Sequence, residues 1–318
     1  MRITLELDMR VSLNRDMHSS VKVNDVTLRY QTNGDASSPT VIFLHGWGGA
    51  ARYFSGVMSD LSDDYFCVAP DLPEFGGSPP LAETRTHTNN ANGESNYSHR
   101  GLARIVAQFM DAVSVGECDV IGHSYGSGVA IALASLFPQR VRRVVISNFS
   151  TFRDERERRI VAMMHHVTDA MMLARKLPFA RTDRFARAFG ARYFHQLPND
   201  PQILRDGVSD FMDMDEQTAR LTVKDSLGWE TPQDLASLKQ PVLVIHSRQD
   251  QIMPPRNAEF TARLASNSQL VWIDQSGHMP MIEQRAEWVR LVKDFLQRRG
   301  AEGAETEKDF SANSAPLR

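Results

Sequence analysis

The stretch Cys118–Phe137, CDVIGHSYGSGVAIALASLF, decides the fold of this chain. Its first residues, CDVIG, are typical of a short buried strand, and its last ten, GVAIALASLF, are typical of a helix. Between them, residues 122–126 (GHSYG) match the pattern G-x-S-x-G. A strand, this pentapeptide and a helix in succession predict a sharp turn that holds the Ser124 hydroxyl clear of the sheet edge.

The two glycines of the pentapeptide have a steric reason. On a tight strand-to-helix turn, side chains two residues before and after the serine would collide, so Gly122 and Gly126 suit this turn. We interpret Ser124 as a nucleophile. A tight turn with an inert serine is the alternative that the pentapeptide alone leaves open.

Short apolar runs elsewhere predict further strands of a buried, mostly parallel sheet. They are Val41–His45, Tyr65–Ala69, Val141–Ser147, Pro241–His246 and Gln269–Asp274, with a hairpin over Val21–Tyr30. Helical spacing of apolar residues falls between them, in Arg104–Val115, Val129–Phe137, Glu259–Leu264 and Trp288–Leu296. This alternation predicts an α/β fold with a central sheet flanked by helices.

The alternation of strands and helices stops after Ser147. From residue 149 to 229 no strand-like run occurs, so this stretch is predicted to be a helical cap inserted between two halves of the core, 21–148 and 230–299. Residues 1–20 are interpreted as an N-terminal extension or edge strand. The polar stretch 81–100 is expected to be a surface loop, and the charged tail 300–318 is expected to be disordered.

Composition excludes several classes of function. The chain has 318 residues, 42% of them hydrophobic and 24% charged, with a net charge of -3 and no basic stripe, so no nucleic-acid partner is predicted. It has no apolar run that could cross a bilayer and no signal-peptide pattern, so we expect a cytoplasmic protein without membrane contact. Clusters with metal-ligand spacing and the motif G-x-G-x-x-G are missing from the sequence, so no metal and no organic cofactor are predicted. The oligomeric state is left open.

A serine hydroxyl needs a neighbouring imidazole to take its proton. Five histidines follow Ser124 in the chain: His165, His166, His195, His246 and His278. The first three lie in the predicted insertion, and His246 closes a strand. His278 follows a strand and a Ser-Gly turn, at the carboxyl end of the sheet where such sites lie, and is the predicted general base.

Asp250 is the predicted acid that orients this histidine. It follows the strand ending at His246, again at a carboxyl end. Asn148, after the strand that follows the nucleophile helix, has no charge to stabilise an imidazolium. Asp274 is too close in sequence to His278 to face it easily.

Five motifs together resemble the α/β-hydrolase superfamily, in its serine-nucleophile members with a cap domain. They are HGWGG at 45–49, PDLPEFGGS at 70–78, GHSYGS at 122–127, SRQDQIMP at 247–254 and SGHMPMIEQ at 276–284. The resemblance runs from about residue 21 to residue 296. It implies that Ser124, Asp250 and His278 form a catalytic triad. It also implies that the backbone N–H groups of Trp47 and Tyr125 form the oxyanion hole.

The resemblance narrows the chemistry but leaves the substrate open. We expect a serine hydrolase that cleaves a small or medium, largely apolar ester, lactone or thioester through an acyl-enzyme, and the expected partner is this small-molecule acyl substrate. The alternatives on the same fold are a carbon–carbon bond hydrolase, a cofactor-free oxygenase or haloperoxidase-like enzyme, and a ligand-binding module that keeps the triad. The expected pocket residues are Trp47, Phe149, Met163, Met164, Phe211, Met212 and Met279.

Overall fold

A computed structural model describes residues 18–81, 95–253 and 255–298. Residues 1–17 of the predicted extension, most of the predicted loop at 81–100 and the predicted tail at 300–318 lie outside the described residues.

Eight strands form one sheet in the order β1-β2-β4-β3-β5-β6-β7-β8. They are β1 (His18–Val23), β2 (Val26–Asn33), β3 (Thr40–Leu44), β4 (Phe66–Pro70), β5 (Cys118–His123), β6 (Val141–Ser147), β7 (Val242–Ser247) and β8 (Ser268–Ile273). β1 and β2 form the predicted hairpin, and β2 pairs antiparallel with β4, whereas β3 through β8 run parallel to one another. The predicted mostly parallel α/β fold is therefore confirmed. β1 begins at His18, within the predicted extension.

Helices cover both faces of the sheet. They are α1 (Ser55–Leu61), α2 (His99–Ala112), α3 (Tyr125–Leu136), α4 (Glu155–Ala174), α5 (Asp183–Tyr193), α6 (Pro201–Asp213), α7 (Glu216–Asp225), α8 (Glu230–Ser237), α9 (Ala258–Leu264), α10 (Pro280–Glu283) and α11 (Arg285–Gln297). α2 begins five residues before the predicted start because the Ser98 hydroxyl caps it, accepting the N–H of Gly101.

The core lies in two layers, one on each face of the sheet. Alternate residues of β3 point to opposite layers, as the pleat requires. Ile42 and Leu44 join the layer of α2 and α3, whereas Val41 and Phe43 join the layer of α1 and α11. Because β3 and β7 are buried on both faces, their sequences are dominated by continuous apolar runs, VIFL and VLVI.

Helices α4 to α7 lie between β6 and β7, within residues 149–229, which we call the cap segment. α5 and α6 pack together through a small apolar cluster that includes Ala186, Phe194, Leu204 and Val208. Within the described part of the chain, no helix combines the length and apolarity needed to cross a membrane.

Candidate active site

Ser124 lies on the sharp turn between β5 and α3. Its backbone has φ 50° and ψ -122°, a conformation that non-glycine residues rarely adopt. A Cβ on Gly122 would come within 2.4 Å of the carbonyl oxygen of Gly126, and a Cβ on Gly126 would come within 2.2 Å of the carbonyl oxygen of Leu44. Both glycines are therefore required by backbone that passes close to the turn, and the serine is held at the carboxyl edge of the sheet.

Asp250 and His278 meet at the same edge. The Nδ1 atom of His278 lies 2.8 Å from Oδ2 of Asp250, and both side chains are buried. The other carboxylate oxygen, Oδ1, accepts the backbone N–H groups of Ile252 and Met253 at 2.8 and 2.9 Å. Because the loop after β7 holds Asp250 in this way, its second oxygen is presented to the imidazole.

The charge of Asp250 is stabilised despite its burial. Burial alone would raise the pKa of this carboxyl, but His278 and hydrogen-bond donors around it outweigh burial and lower the pKa to about 2. An ionised Asp250 fixes the proton of His278 on Nδ1, which leaves Nε2 able to accept a proton.

Asn148 is a site residue that the sequence reasoning missed. It follows β6 in a left-handed conformation with φ 49°, and its amide donates to Oδ2 of Asp250 at 2.7 Å and to the carbonyl of Gly277 at 3.2 Å. The sequence drew attention to this position only as a place where an acid could have been. A signal was nevertheless present, since Asn148 follows a strand at the edge that carries Ser124 and Asp250.

The competing acid and the competing histidines lie elsewhere. Asp274 is exposed and pairs with Arg248 at 3.1 Å. His246 is fully buried and donates from Nε2 to the carbonyl of Met253 at 2.8 Å. This hydrogen bond stabilises the loop that carries Asp250. His195 is exposed at the end of α5, and the side chains of His165 and His166 lie outside the described part.

The loop that carries His278 is tied to the cap segment. The N–H of His278 donates to the carbonyl of Tyr193 at 2.6 Å. The carboxylate of Glu283 accepts three backbone N–H groups, from His195 at 2.7 Å, Gln196 at 3.0 Å and Gly277 at 2.7 Å. Burial nevertheless leaves the pKa of Glu283 raised. Glu283 therefore joins the end of α5 to the histidine loop.

The glycine-rich turn after β3 is held by His45. Because Nε2 of His45 accepts the N–H of Leu72 at 2.9 Å, the ring proton is on Nδ1, which donates to the carbonyl of Gly46 at 2.9 Å. The same carbonyl accepts the N–H of Gly49 at 3.0 Å. The C=O and N–H of a trans peptide point in opposite directions, so fixing the Gly46 carbonyl also fixes the direction of the Trp47 N–H. Tyr125, the second expected oxyanion donor, is the first residue of α3, where helix N–H groups point outward.

His123 lies between the serine turn and the histidine loop. Its ring donates from Nε2 to the carbonyl of His278 at 2.7 Å, and burial lowers its pKa to about 3. It is therefore neutral at physiological pH. The hydrogen bond lets His123 hold the backbone that carries His278, and the centroids of the two imidazole rings lie 4.8 Å apart.

A single cavity contains Ser124 and His278. It is lined by the glycine-rich turn after β3 and by residues of α5 and α6. Its lining residues are His45, Gly46, Trp47, Gly48, Gly49, Tyr53, Phe54, His123, Ser124, Phe189, Gly190, Tyr193, Phe194, Ile203, Leu204, Gly207, Phe211, His278, Met279 and Met281. Trp47 also reaches the cap segment, where its indole N–H donates to the Thr222 hydroxyl at 2.9 Å.

Three of the expected pocket residues lie away from this cavity. Phe149 packs into the core layer against His99, Met163 on α4 is 68% exposed, and Met212 packs into the cluster between α5 and α6. Met212 follows Phe211 by about 100° around the helix, so the two cannot face the same side. Trp47, Phe211 and Met279 do line the cavity, and the side chain of Met164 lies outside the described part.

Among the residues that the structure describes, no group of three or more His, Cys, Asp or Glu side chains is arranged to hold a metal ion.

A mostly parallel sheet with helices on both faces, and a serine on the strand-to-helix turn at its carboxyl edge, is the architecture of an α/β hydrolase. The comparison with known families gives the same answer. The chain belongs to the alpha/beta hydrolase fold family, which it matches over residues 39–284. It is accordingly a hydrolase.

Several named proteins are similar to the chain. The dihydrolipoyllysine-residue acetyltransferase component of the acetoin cleaving system of Cupriavidus necator is 31% identical over 284 residues, which cover 86% of this chain and 67% of that protein. The 2-hydroxy-6-oxo-2,4-heptadienoate hydrolase of Pseudomonas putida is 25% identical over 264 residues, covering 80% of this chain and 88% of that protein. The crystal structure of the enol-lactonase from Burkholderia xenovorans superposes with a TM-score of 0.71 at 19% identity, covering 88% of this chain and 100% of that chain. The structural likeness shows the fold.

Proposed function

We propose that the protein is a serine hydrolase that cleaves a small or medium, largely apolar ester, lactone or thioester through an acyl-enzyme. One observation carries the proposal. The strained Ser124 turn opens into the same cavity as His278, and that histidine is bonded at 2.8 Å to a buried, ionised Asp250.

The proposed reaction has two halves. The Ser124 oxygen attacks the substrate carbonyl while Nε2 of His278 takes the hydroxyl proton, and the N–H groups of Trp47 and Tyr125 stabilise the oxyanion. Collapse of this intermediate breaks the bond to the leaving group, which receives the proton from His278. Water then attacks the acyl-enzyme with His278 again as base, releasing the acid and restoring the serine. Asp250 stays ionised and stabilises the imidazolium in both halves.

The cavity supports a neutral substrate. The described residues that line it are mainly aromatic and aliphatic, and none is lysine or arginine. The dienoate in the name of the Pseudomonas putida relative carries a carboxylate. Binding in this cavity would remove water from that charge, and no lysine or arginine among the described lining residues could pair with it. This favours an uncharged ester-like substrate over such a dienoate.

Labelling with a fluorophosphonate probe tests the nucleophile. We expect mass spectrometry to find the adduct on Ser124, and we expect Ser124→Ala to remain folded but to lose both labelling and ester hydrolysis, by roughly 10⁶-fold in kcat. The matched control is Ser209→Ala on the exposed face of α6, which should label normally. An adduct on another residue, or none on folded protein, would reject the assignment. Oxygen consumption with an aromatic substrate, or tight binding without turnover, would instead identify one of the alternatives.

A further inference from the structure

Gly207 lies in the middle of α6, where glycine is unfavourable. The helix runs from Pro201 to Asp213, so Gly207 is several residues from either end and has no capping role. Glycine is the poorest helix former after proline. A glycine in a helix interior therefore calls for a local reason.

The other cap glycine that lines the cavity has such a reason in packing. A Cβ on Gly190 of α5 would lie 2.5 Å from a methyl carbon of Leu204, so any larger residue there would force Leu204 to shift in the contact between α5 and α6. At Gly207 the nearest atom to such a Cβ is the Tyr53 hydroxyl at 3.8 Å, an ordinary van der Waals distance. Protein packing does not require Gly207 to be glycine.

Gly207 faces the cavity that contains Ser124. The polar groups beside it are already paired with one another, since the Tyr53 hydroxyl donates to Asp210 at 2.5 Å and Asp210 also binds Arg52. The other residues that α5 and α6 contribute to the cavity lining are mainly apolar, among them Phe189, Ile203 and Phe211. The wall around Gly207 therefore offers a ligand mainly apolar surface.

We propose that Gly207 is a specificity-determining residue, whose missing side chain keeps room for an uncharged, apolar substituent of the substrate. The inference rests on the proposed ester hydrolysis and adds the position that sets substituent length. A Cβ at 207 would meet only the Tyr53 hydroxyl within 4 Å among the described residues, so a side chain there would extend into the cavity.

The series Gly207→Ala, Gly207→Val and Gly207→Leu tests this assignment in the full chain. The kcat/KM values of 4-nitrophenyl acetate, butyrate, hexanoate and octanoate, and of a series of alkyl acetates, should fall progressively for the longer substituents. We expect Gly207→Leu to lower kcat/KM for the longest accepted ester at least tenfold more than for the shortest, because each methylene in such a pocket changes the rate by about tenfold or more. Gly207→Ala should raise Tm by about 2–4 °C, since alanine favours the helix.

Gly116→Ala is the matched control. Gly116 is exposed before β5, at the opposite edge of the sheet, and a Cβ there would meet nothing within 4 Å, so its substrate profile should be unchanged. An equal loss across all substituent lengths in the Gly207 series, or no change of profile, would overturn the assignment.

Calorimetric binding of the same esters to Ser124→Ala, with and without Gly207→Leu, tests the role of Gly207 in binding independently of ester hydrolysis. Weaker binding of the longer esters supports the role of Gly207 even if wild-type protein hydrolyses none of them, and unchanged binding rejects it.

Discussion

The two walls of the cavity are built by different forces. On the core side, hydrogen bonds orient the acid and the glycine-rich turn: Asp250 accepts from His278, Asn148 and two backbone N–H groups, and His45 holds the turn. On the cap side, α5 and α6 pack against each other through apolar side chains, among them Leu204 and Val208. Hydrogen bonds fix direction, whereas packing fixes volume.

This difference predicts a division of effects. Chemistry at a carbonyl depends on the direction of a few polar atoms, so substitutions on the core side should lower kcat. Selection among apolar substrates depends on the volume of the pocket, so substitutions on the cap side should change the relative kcat/KM of different substrates. Glu283 accepts backbone N–H groups from both the core side and the cap side, so its substitution tests whether kcat and substrate selection are governed separately by the two walls.

The largest of these effects is expected at Asp250. Asp250→Asn places an amide where two donors, His278 and Asn148, now point at Oδ2. The wrong imidazole tautomer would then be favoured, and kcat should fall by roughly 10⁴-fold, the loss that the same substitution causes in a serine-protease triad. Steady-state hydrolysis of a 4-nitrophenyl ester measures it.

Asp274→Asn is the control for Asp250→Asn. Asp274 is exposed and pairs only with Arg248 among the described contacts, so its loss should change kcat by less than about threefold. A larger loss at position 274 than at position 250 would transfer the acid role to Asp274.

The second effect is a pH dependence of stability that His123 causes. Burial lowers its folded pKa to about 3, whereas an unfolded histidine has a pKa of about 6.5, so the unfolded chain binds more protons between these values. The stability that neutral His123 contributes is complete above pH 6.5 and is lost as the pH falls toward 3. We expect its share of the free energy of unfolding to drop by about 2 kcal/mol between pH 7 and pH 5.

Urea unfolding of wild type and His123→Gln at these two pH values measures that share. Glutamine keeps an amide donor for the His278 carbonyl but does not titrate. The drop between pH 7 and pH 5 should therefore be smaller in His123→Gln, while His195→Gln, at an exposed position, should match wild type. Equal drops in all three proteins would show that His123 is not the group responsible.

The parts of the fold and site that could be predicted from sequence are those that a short stretch of the chain specifies. The sheet and Ser124 were predictable because an apolar strand, G-x-S-x-G and a helix are consecutive in the chain. Asp250 and His278 were predictable because each follows a strand, and parallel strands end at one edge. Asn148 and Glu283 were missed because Asp250 and Gly277, which Asn148 binds, and His195 and Gln196, which Glu283 binds, lie about 90 residues or more away in sequence, and no periodicity records such pairs.

The cap side was less predictable for a geometric reason. Composition indicated an apolar layer, but a helix rotates by about 100° per residue, so the sequence alone could not say which residue faces the cavity. Phe211 faces it and Met212 does not, while Met163 faces solvent. Phe189 and Tyr193, on α5, line the cavity and were not predicted.

A third and smaller effect is expected from Glu283→Gln. The new amide would face backbone N–H groups that now donate to a carboxylate, so the link between α5 and the His278 loop would weaken. Because this residue positions His278 without contacting substrate, kcat should fall about tenfold with little change in KM.

Glu287→Gln is the matched control for Glu283→Gln, since Glu287 is on the neighbouring helix α11 and pairs with Arg290 at the surface. It should keep wild-type kinetics. A change in KM alone for Glu283→Gln would show that this residue affects substrate binding, as the cap side is expected to do, and would contradict its predicted role in positioning His278.

The smallest effect in rate, and the most specific, is expected at Phe211. This side chain lines the cavity from α6 and lies 6.5 Å from the Trp47 ring and 5.3 Å from the Phe189 ring, so it closes the apolar wall opposite the glycine-rich turn. Phe211→Leu enlarges the pocket without introducing a polar group, and kcat/KM for longer esters should rise relative to the acetate by about tenfold. Met163→Ala, at a 68% exposed position of α4, should leave the ratio unchanged. Fluorophosphonate labelling of Ser124 should proceed at a similar rate in both variants, because neither touches the hydrogen bonds of the core side. If Phe211→Leu slowed labelling as strongly as it altered the ester ratio, the cap would contribute to the chemistry itself. Pocket volume and the direction of the catalytic polar atoms would then not be controlled separately by the two walls.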